Sequence, residues 1–214
     1  MLSSIADIRK EYKLHSLSEN DVDKDPILQF TRWWQETIAS EIDEANAMTL
    51  STASAQGKPF ARIVLLKGYD NNGFVFFTNY ESKKGKEIGE NPRATLLFFW
   101  KELERQVRIE GRVEKLSEKD SDAYFSSRPL ESRIGAWASP QSSIIESRET
   151  LEASVQKTKQ RFPGENIPRP PHWGGYIVIP EAIEFWQGRA NRLHDRILYT
   201  FIAIDNWNIQ RLAP

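Results

Sequence analysis

The hydrophobic pattern changes period once along the chain. After a polar, charged stretch over residues 1–24, Ile27, Phe30, Trp33, Trp34, Ile38 and Ile42 recur at helical spacing. Asp25-Pro26 just before them reads as an N-cap followed by proline in the first turn, so a helix is predicted over about 26–43. From Ala47 the period drops to two. Apolar runs at 47–54, 60–68, 74–79, 93–101 and 105–115 are separated by turn residues such as Gln56-Gly57-Lys58-Pro59 and Asp70-Asn71-Asn72-Gly73. Asn-Gly between two such runs is a hairpin signal. In the last run, Val107, Ile109 and Val113 alternate with Gln106, Arg108, Glu110 and Arg112, the mark of a strand with one buried face. A short basic helix is predicted at 82–90. A second opens at the capping-box-like Ser117-Glu118-Lys119-Asp120 and runs to about Ser127, stopped by Pro129, and a third covers 147–161. Three more strands are expected at about 174–187, 192–202 and 206–212. Seven or eight short strands with helices inserted between them suggest a mainly β fold, an antiparallel barrel and not a doubly wound sheet. No internal repeat or linker-like shift follows residue 25. The expected organisation is a flexible N-terminal arm over 1–24 and a single domain over 25–214.

Composition narrows the chemistry mainly by exclusion. The 214 residues contain no cysteine, which removes disulfides, Cys-ligated zinc, iron–sulfur clusters and thiol catalysis together. The three histidines, His15, His172 and His194, are too dispersed for a local metal motif, so no metal site is expected. Lys and Arg number 29 against 30 Asp and Glu, a balance that argues against nucleic acid as the partner. No apolar run approaches the length of a spanning helix, and residues 1–11 lack the apolar core of a signal peptide; a cytoplasmic address is the expectation. GxGxxG, Walker A, HExxH and GxSxG motifs are all missing.

The informative signal is cationic. Over 184–196 the chain reads Glu-Phe-Trp-Gln-Gly-Arg-Ala-Asn-Arg-Leu-His-Asp-Arg. If residues 192–196 are extended, Arg192, His194 and Arg196 share one face. Such a row repels itself unless an anion or a carboxylate neutralises it. One reading pairs it with Asp195 and Glu184; the other sets it beside Trp186 to receive a planar anion. A second cluster bounds an apolar strand with Arg62 and Lys67, on opposite faces by strand parity. A lysine pair, Lys83-Lys84, opens a predicted helix, where the dipole disfavours it unless a phosphate is bound. Tyr124, Arg128 and Ser132 follow one another at intervals of four, Tyr124 and Arg128 on one predicted helical face, and together suit a phosphate clamp. Each cluster taken singly also fits ordinary solvated surface.

Taken together, these residues resemble the pyridoxine/pyridoxamine 5′-phosphate oxidase family. The resemblance is carried by E-F-W-Q-G-x-x-x-R-L-H-D-R at 184–196, R-I-V-L-L-K at 62–67, F-F-T-N at 76–79 and S-K-K at 82–84. It continues through L-E-R-Q-V at 103–107, S-R-P-x-x-S-x-I-G-A-W at 127–137, Q-S-S at 141–143, Trp173-Gly174-Gly175 and the terminal R-L-A-P. It implies an FMN-binding split β-barrel acting as a homodimer, with flavin at the subunit interface. The implied reaction oxidises pyridoxine or pyridoxamine 5′-phosphate to pyridoxal 5′-phosphate with O2, releasing H2O2, and ammonia from the amine. Hydride would pass from the substrate C4′ to the flavin. Matched to FMN-contacting positions are Arg62, Ile63, Val64, Leu65, Leu66, Lys67, Phe77, Thr78, Lys83, Lys84, Gln106, Gln141, Ser142, Trp186 and Arg196. Lys67, Tyr124, Arg128 and Ser132 match positions holding the substrate phosphate. Arg192, Leu193 and His194 match positions at the substrate ring, with Arg192 and His194 in the catalytic roles. Phe77 and Lys83 stand where the family often has tyrosine and arginine, which bears on FMN affinity. Arg9-Lys10-Glu11-Tyr12 resembles a segment that folds over bound substrate. Another split-barrel flavoprotein, such as an NAD(P)H-dependent flavin reductase, and a non-catalytic flavin or pyridoxal phosphate binder are the competing readings.

Overall fold

The computed structural model describes Ile5 and residues 11–214. Helix α1 (Pro26–Ala39) begins where the sequence places it: Asp25 accepts the Ile27 N–H at 2.7 Å, and Pro26 occupies the first turn. It ends earlier than the predicted residue 43. Glu41 and Glu44 both adopt left-handed φ values, which a helix cannot contain, and Ile38 from the predicted apolar stripe is exposed. Strands β1 (Ala47–Ala53), β2 (Pro59–Leu65), β3 (Gly68–Asp70) and β4 (Gly73–Asn79) lead into α2 (Lys83–Glu90), β5 (Arg93–Trp100) and β6 (Arg105–Lys115). Helices α3 (Glu118–Ser127), α4 (Leu130–Ala138) and α5 (Arg148–Arg161) follow, then β7 (Trp173–Gln187), β8 (Asp195–Ala203) and β9 (Asn206–Arg211). Hydrogen bonding links the strands in the order β2-β1-β5-β6-β7-β4-β3, with β8 and β9 continuing from β7. The expected fold class, antiparallel β with inserted helices, holds.

Strand β7 changes partner part-way along. Residues 173–178 pair antiparallel with β4, and residues 182–187 pair antiparallel with β8. Pro180 falls in the gap between these two ladders, where neither β4 nor β8 needs its missing N–H. The chain divides into two compact units. The first takes residues 95–110, 180–214 and the N-terminal segment through Thr49; the second takes 50–94 and 111–179. In the first, Phe30 and Trp33 of α1 pack on Phe98 and Phe185 with ring centroids 5.4 and 5.2 Å apart. Burial of such rings is the main source of stability there. In the second, Phe125, Ile134, Ile167 and Trp173 form a buried cluster beneath Tyr124 and Phe77.

The polar stretch expected to be a flexible arm is tied down at several points between residues 13 and 23. Glu104 accepts the N–H groups of Lys13 and Leu14 at 2.8 and 3.1 Å, and Asp195 accepts that of Leu17 at 3.0 Å. Leu17 is buried, and the Tyr199 hydroxyl donates to the Asp23 carbonyl at 2.6 Å. Backbone donors meeting distant carboxylates leave no periodic trace in a sequence, so the polar composition does not announce these ties.

Candidate functional site

In the second unit the chain leaves β4 at Asn79, turns tightly and starts α2. Ser82 caps the helix by accepting the Gly85 N–H, and Gly85 is required because a Cβ there would lie 2.1 Å from the Tyr80 carbonyl oxygen. This turn brings Lys84 to Thr78 and Gln141, with its ammonium 3.3 Å from the Thr78 hydroxyl and 3.2 Å from the Gln141 amide oxygen. These partners are neutral oxygens. Burial, then the nearby Arg62, holds the Lys84 pKa below the ordinary lysine value, with Glu87 opposing. Arg62 points from β2 into the same cluster. It donates to Glu87 at 2.9 Å, to Thr52 at 2.5 Å and to the Leu50 carbonyl at 3.2 Å. Gln141 is exposed, and Ser142 beside it holds a left-handed φ of 73°.

Other residues matched to the flavin fall elsewhere. The Lys83 ammonium lies 3.4 Å from the centre of the Phe60 ring. Ile63, Val64 and Leu65 are on β2 with Ile63 exposed, and Leu66 is buried just beyond it. Lys67 is past the end of β2, exposed, its N–H bonded to the Val75 carbonyl at 2.8 Å. Strand β2 itself stops at Leu65, so Lys67 lies outside the strand on which the parity of Arg62 is read.

The same unit holds the predicted clamp, built differently from expectation. Helix α3 ends at Ser127, and Arg128 is extended (φ −74°, ψ 149°), since a residue preceding proline avoids helical backbone. Tyr124 and Arg128 accordingly do not share a helical face. Helix α4, absent from the predicted elements, starts after Pro129 and carries Ser132. The extended backbone turns the Arg128 guanidinium over Trp173, 4.5 Å from the ring centre, and its Nη1 is buried without a hydrogen-bond partner. Burial lowers the Arg128 pKa from the ordinary arginine value. Arg128 and Ser132 line a cavity of about 280 Å³ together with Asn79, Gln141 and Trp173. Phe77 stacks on Tyr124 with ring centres 3.8 Å apart, and both lie nearly parallel to Trp173.

In the first unit the end of β7 and the start of β8 carry the other predicted residues. The expected extended row over 192–196 is not formed. Residues 190–192 make a tight helical turn in which Asn191 and Arg192 have φ of 56° and 62°, and β8 begins only at Asp195. Two left-handed non-glycine residues in succession cost of order 1–3 kcal/mol each, strain of the kind found at functional sites. The turn leaves Arg192 and Leu193 exposed. It packs the His194 ring 4.6 Å from that of Trp186. The Arg189 N–H donates to His194 Nδ1 at 3.1 Å, which places the proton of the neutral ring on Nε2. Burial, then Arg192, lowers the His194 pKa, with Asp195 opposing. Tyr12 closes on both rings, at 5.8 Å from Trp186 and 5.9 Å from His194; Gly188 allows this, because a Cβ there would meet the Tyr12 ring at 2.7 Å. Of the segment resembling a substrate cover, Arg9 and Lys10 lie outside the described residues. Arg196 is gripped by Glu184 through Nε at 2.7 Å and Nη2 at 3.2 Å, and Arg108 reaches the same buried carboxylate at 2.8 Å. The sequence offers Glu184 only as a counter-charge for the row; its burial between two arginines makes it the organiser of this group. Gln106 is half-buried on β6.

Comparison with known proteins identifies the lineage. Residues 34–162 match the family described as pyridoxamine 5′-phosphate oxidase. The chain belongs to that family. Residues 173–214 match the pyridoxine 5′-phosphate oxidase C-terminal dimerisation region, so this oxidoreductase family's dimerisation element is present. Among curated relatives, a pyridoxine/pyridoxamine 5′-phosphate oxidase from Paraburkholderia phymatum is 61% identical over 213 residues, covering 100% of both chains. One of the same name from Trichormus variabilis is 58% identical over 211 residues and covers 99% of each. A solved structure of PhzG from Burkholderia lata, in complex with tetrahydrophenazine-1-carboxylic acid, has a TM-score of 0.87 at 30% identity, covering 94% of this chain and 99% of that one. An FMN-binding protein from Nostoc punctiforme shares the fold at a TM-score of 0.70 and 19% identity, covering 94% of this chain and 100% of that one. The split-barrel class and membership of a flavin-binding oxidase family are thereby established. Among the described residues, no helix is long and apolar enough to cross a membrane.

Proposed function

We propose that the chain oxidises pyridoxine 5′-phosphate and pyridoxamine 5′-phosphate to pyridoxal 5′-phosphate. In this reading it uses FMN and O2, releases H2O2 (and ammonia from the amine), and acts as a cytoplasmic homodimer with flavin at the subunit interface. The observation that carries the reading is Arg128. A guanidinium with a buried, unpartnered Nη1 is a standing cost unless an anion completes it, and it lines a cavity with Ser132. A phosphomonoester supplies both the charge and the acceptor oxygens. Lys84 supports FMN in the same way. Its partners are neutral oxygens, so a second phosphate would bring the counter-charge it lacks, and the residues present fit that group.

Bound FMN would supply the hydride-accepting ring and pass the electrons on to O2. The chain's own residues do the rest. Arg128 and Ser132 hold the substrate phosphate, with Tyr124 set by its stack on Phe77. Arg192 bears on the pyridine ring, positioned by a strained turn that needs no rearrangement when substrate arrives. His194 presents Nε2–H as a donor, because Nδ1 is occupied by the Arg189 amide; it orients the reacting substituent instead of accepting a proton from it. Tyr12 over Trp186 and His194 helps exclude water. The test is anaerobic addition of pyridoxine phosphate to flavin-loaded protein. Bleaching of the flavin band by the phosphorylated vitamer, and much weaker bleaching by pyridoxine, is expected. Bleaching by NADPH alone, or by a phenazine-type carboxylate but not by the vitamer, would overturn the reading.

A further inference from the structure

Glu87 is a buried carboxylate inside a cluster of positive charge. Its side chain is 6% exposed and that of Arg62 20%. One oxygen, Oε2, accepts from Arg62 Nη2 at 2.9 Å and from the Thr52 hydroxyl at 2.5 Å, while Thr52 in turn accepts from Arg62 Nη1 at 2.5 Å. The three side chains thus close a ring of donors and acceptors along one edge of the guanidinium. The other Nη1 proton goes to the Leu50 carbonyl at 3.2 Å. A guanidinium has five N–H groups. Among the described residues three are engaged, and the Nε–H with one Nη2–H is left over. Those two lie side by side on the opposite edge, the fork that takes a phosphate or carboxylate bidentately.

Stability gives Glu87 little reason to be there. Its second oxygen, Oε1, is buried with no partner, and a buried ion pair generally stabilises no more than an apolar pair of the same volume. Its charge also opposes any anion that Arg62 and Lys84 attract. A group that weakens the field of an anion site and is itself incompletely satisfied earns its place by geometry.

We propose that Glu87 and Thr52 are positioning residues that lock the Arg62 guanidinium edge-on, so that its free fork is preset for the phosphate of the flavin. The inference rests on the flavin reading above. It makes a prediction opposite in sign to simple electrostatics. If Glu87 acted only through its charge, neutralising it would tighten phosphate binding; as a positioning residue, its loss loosens binding although the site becomes more positive.

The experiment titrates flavin-free protein with FMN and, separately, with riboflavin, which lacks the phosphate, following quenching of flavin fluorescence. Glu87→Gln and Thr52→Val are each expected to raise the FMN Kd by about threefold to tenfold, the scale of one ordinary hydrogen bond. Riboflavin affinity is expected to stay as in the parent. In an Arg62→Ala background neither substitution should weaken FMN further, and Glu87→Gln should tighten it. Thr52→Val keeps all charges and the side-chain volume, so it carries the test if Glu87→Gln folds poorly. Unchanged or tighter FMN binding in both variants, or equal losses with and without Arg62, overturns the proposal. An unaltered protein that binds FMN no better than riboflavin overturns the phosphate reading of Arg62 and Lys84 and this proposal with it.

Discussion

Arg128 and Arg196 are both arginines that the sequence marks as anion ligands, and the two units treat them in opposite ways. In the first unit Arg196 is held bidentately by Glu184, which is 2% exposed and also binds Arg108. In the second unit Arg128 lies on the face of Trp173 with one Nη buried and unpaired. An arginine whose Nε/Nη2 fork is filled by its own carboxylate, as in Arg196, is scaffold first, whereas Arg62 meets Glu87 through Nη2 alone. An arginine packed on an aromatic face without a carboxylate keeps its charge for a ligand. Identical side chains in equally suggestive motifs therefore carry different duties, and the edge of the guanidinium that a counter-ion fills decides which.

The largest expected effect breaks the comparison on the Arg128 side. Arg128→Ala should lower kcat/KM for pyridoxine phosphate by roughly 10²- to 10³-fold, the cost of removing one partner from a desolvated charge pair. Unfolding midpoints should stay level or rise, since an unsatisfied buried cation is removed. A loss of stability with little loss of kcat/KM would place Arg128 with the scaffold. On the other side, Glu184→Gln leaves Arg196 and Arg108 without their shared counter-charge. Urea unfolding should show a loss of about 3 kcal/mol, near the low end for a broken buried pair because both arginines keep some solvent. An unchanged urea midpoint would remove Glu184 as organiser.

Smaller effects sharpen the picture. Burial and Arg192 both disfavour the imidazolium of His194, so the acidic limb of kcat/KM should lie below the ordinary histidine value of about 6.5. Arg192→Ala removes a positive neighbour and should move that limb upward in pH; movement downward would contradict the assigned cause. The smallest effect is expected at Lys83. Its ammonium rests on Phe60, so Lys83→Ala should change FMN affinity by less than about threefold, a weak cation–π loss. A larger change in a fluorescence titration would show that Lys83 leaves the ring for the phosphate.

Element existence was legible from periodicity. Strands β1, β2 and β4 to β7 and helices α1, α2, α3 and α5 lie where the alternation and capping residues put them, because those signals are local; the three-residue β3 falls where the sequence reads the end of one run and a turn. Helix α4 was missed, since Pro129 reads as a stop for one helix and equally opens the next. The row over 192–196 was misread for a related reason. Nothing in Arg-Leu-His-Asp-Arg announces the left-handed Arg192, and the other left-handed residue, Asn191, lies just before that run.

What the sequence determined by itself is the fold class, the family and the set of positive residues available to bind anions. Tertiary structure alone decided which of those charges were already neutralised. Arg196 met Glu184, Arg62 met Glu87 and Thr52, and Arg128, among the described residues, met the rings of Trp173 and Phe125 and no carboxylate. The reason is physical: periodicity reports which side of an element faces apolar surroundings, whereas the pairing of charges depends on side chains brought within a few ångströms by folding, whatever their separation in the chain.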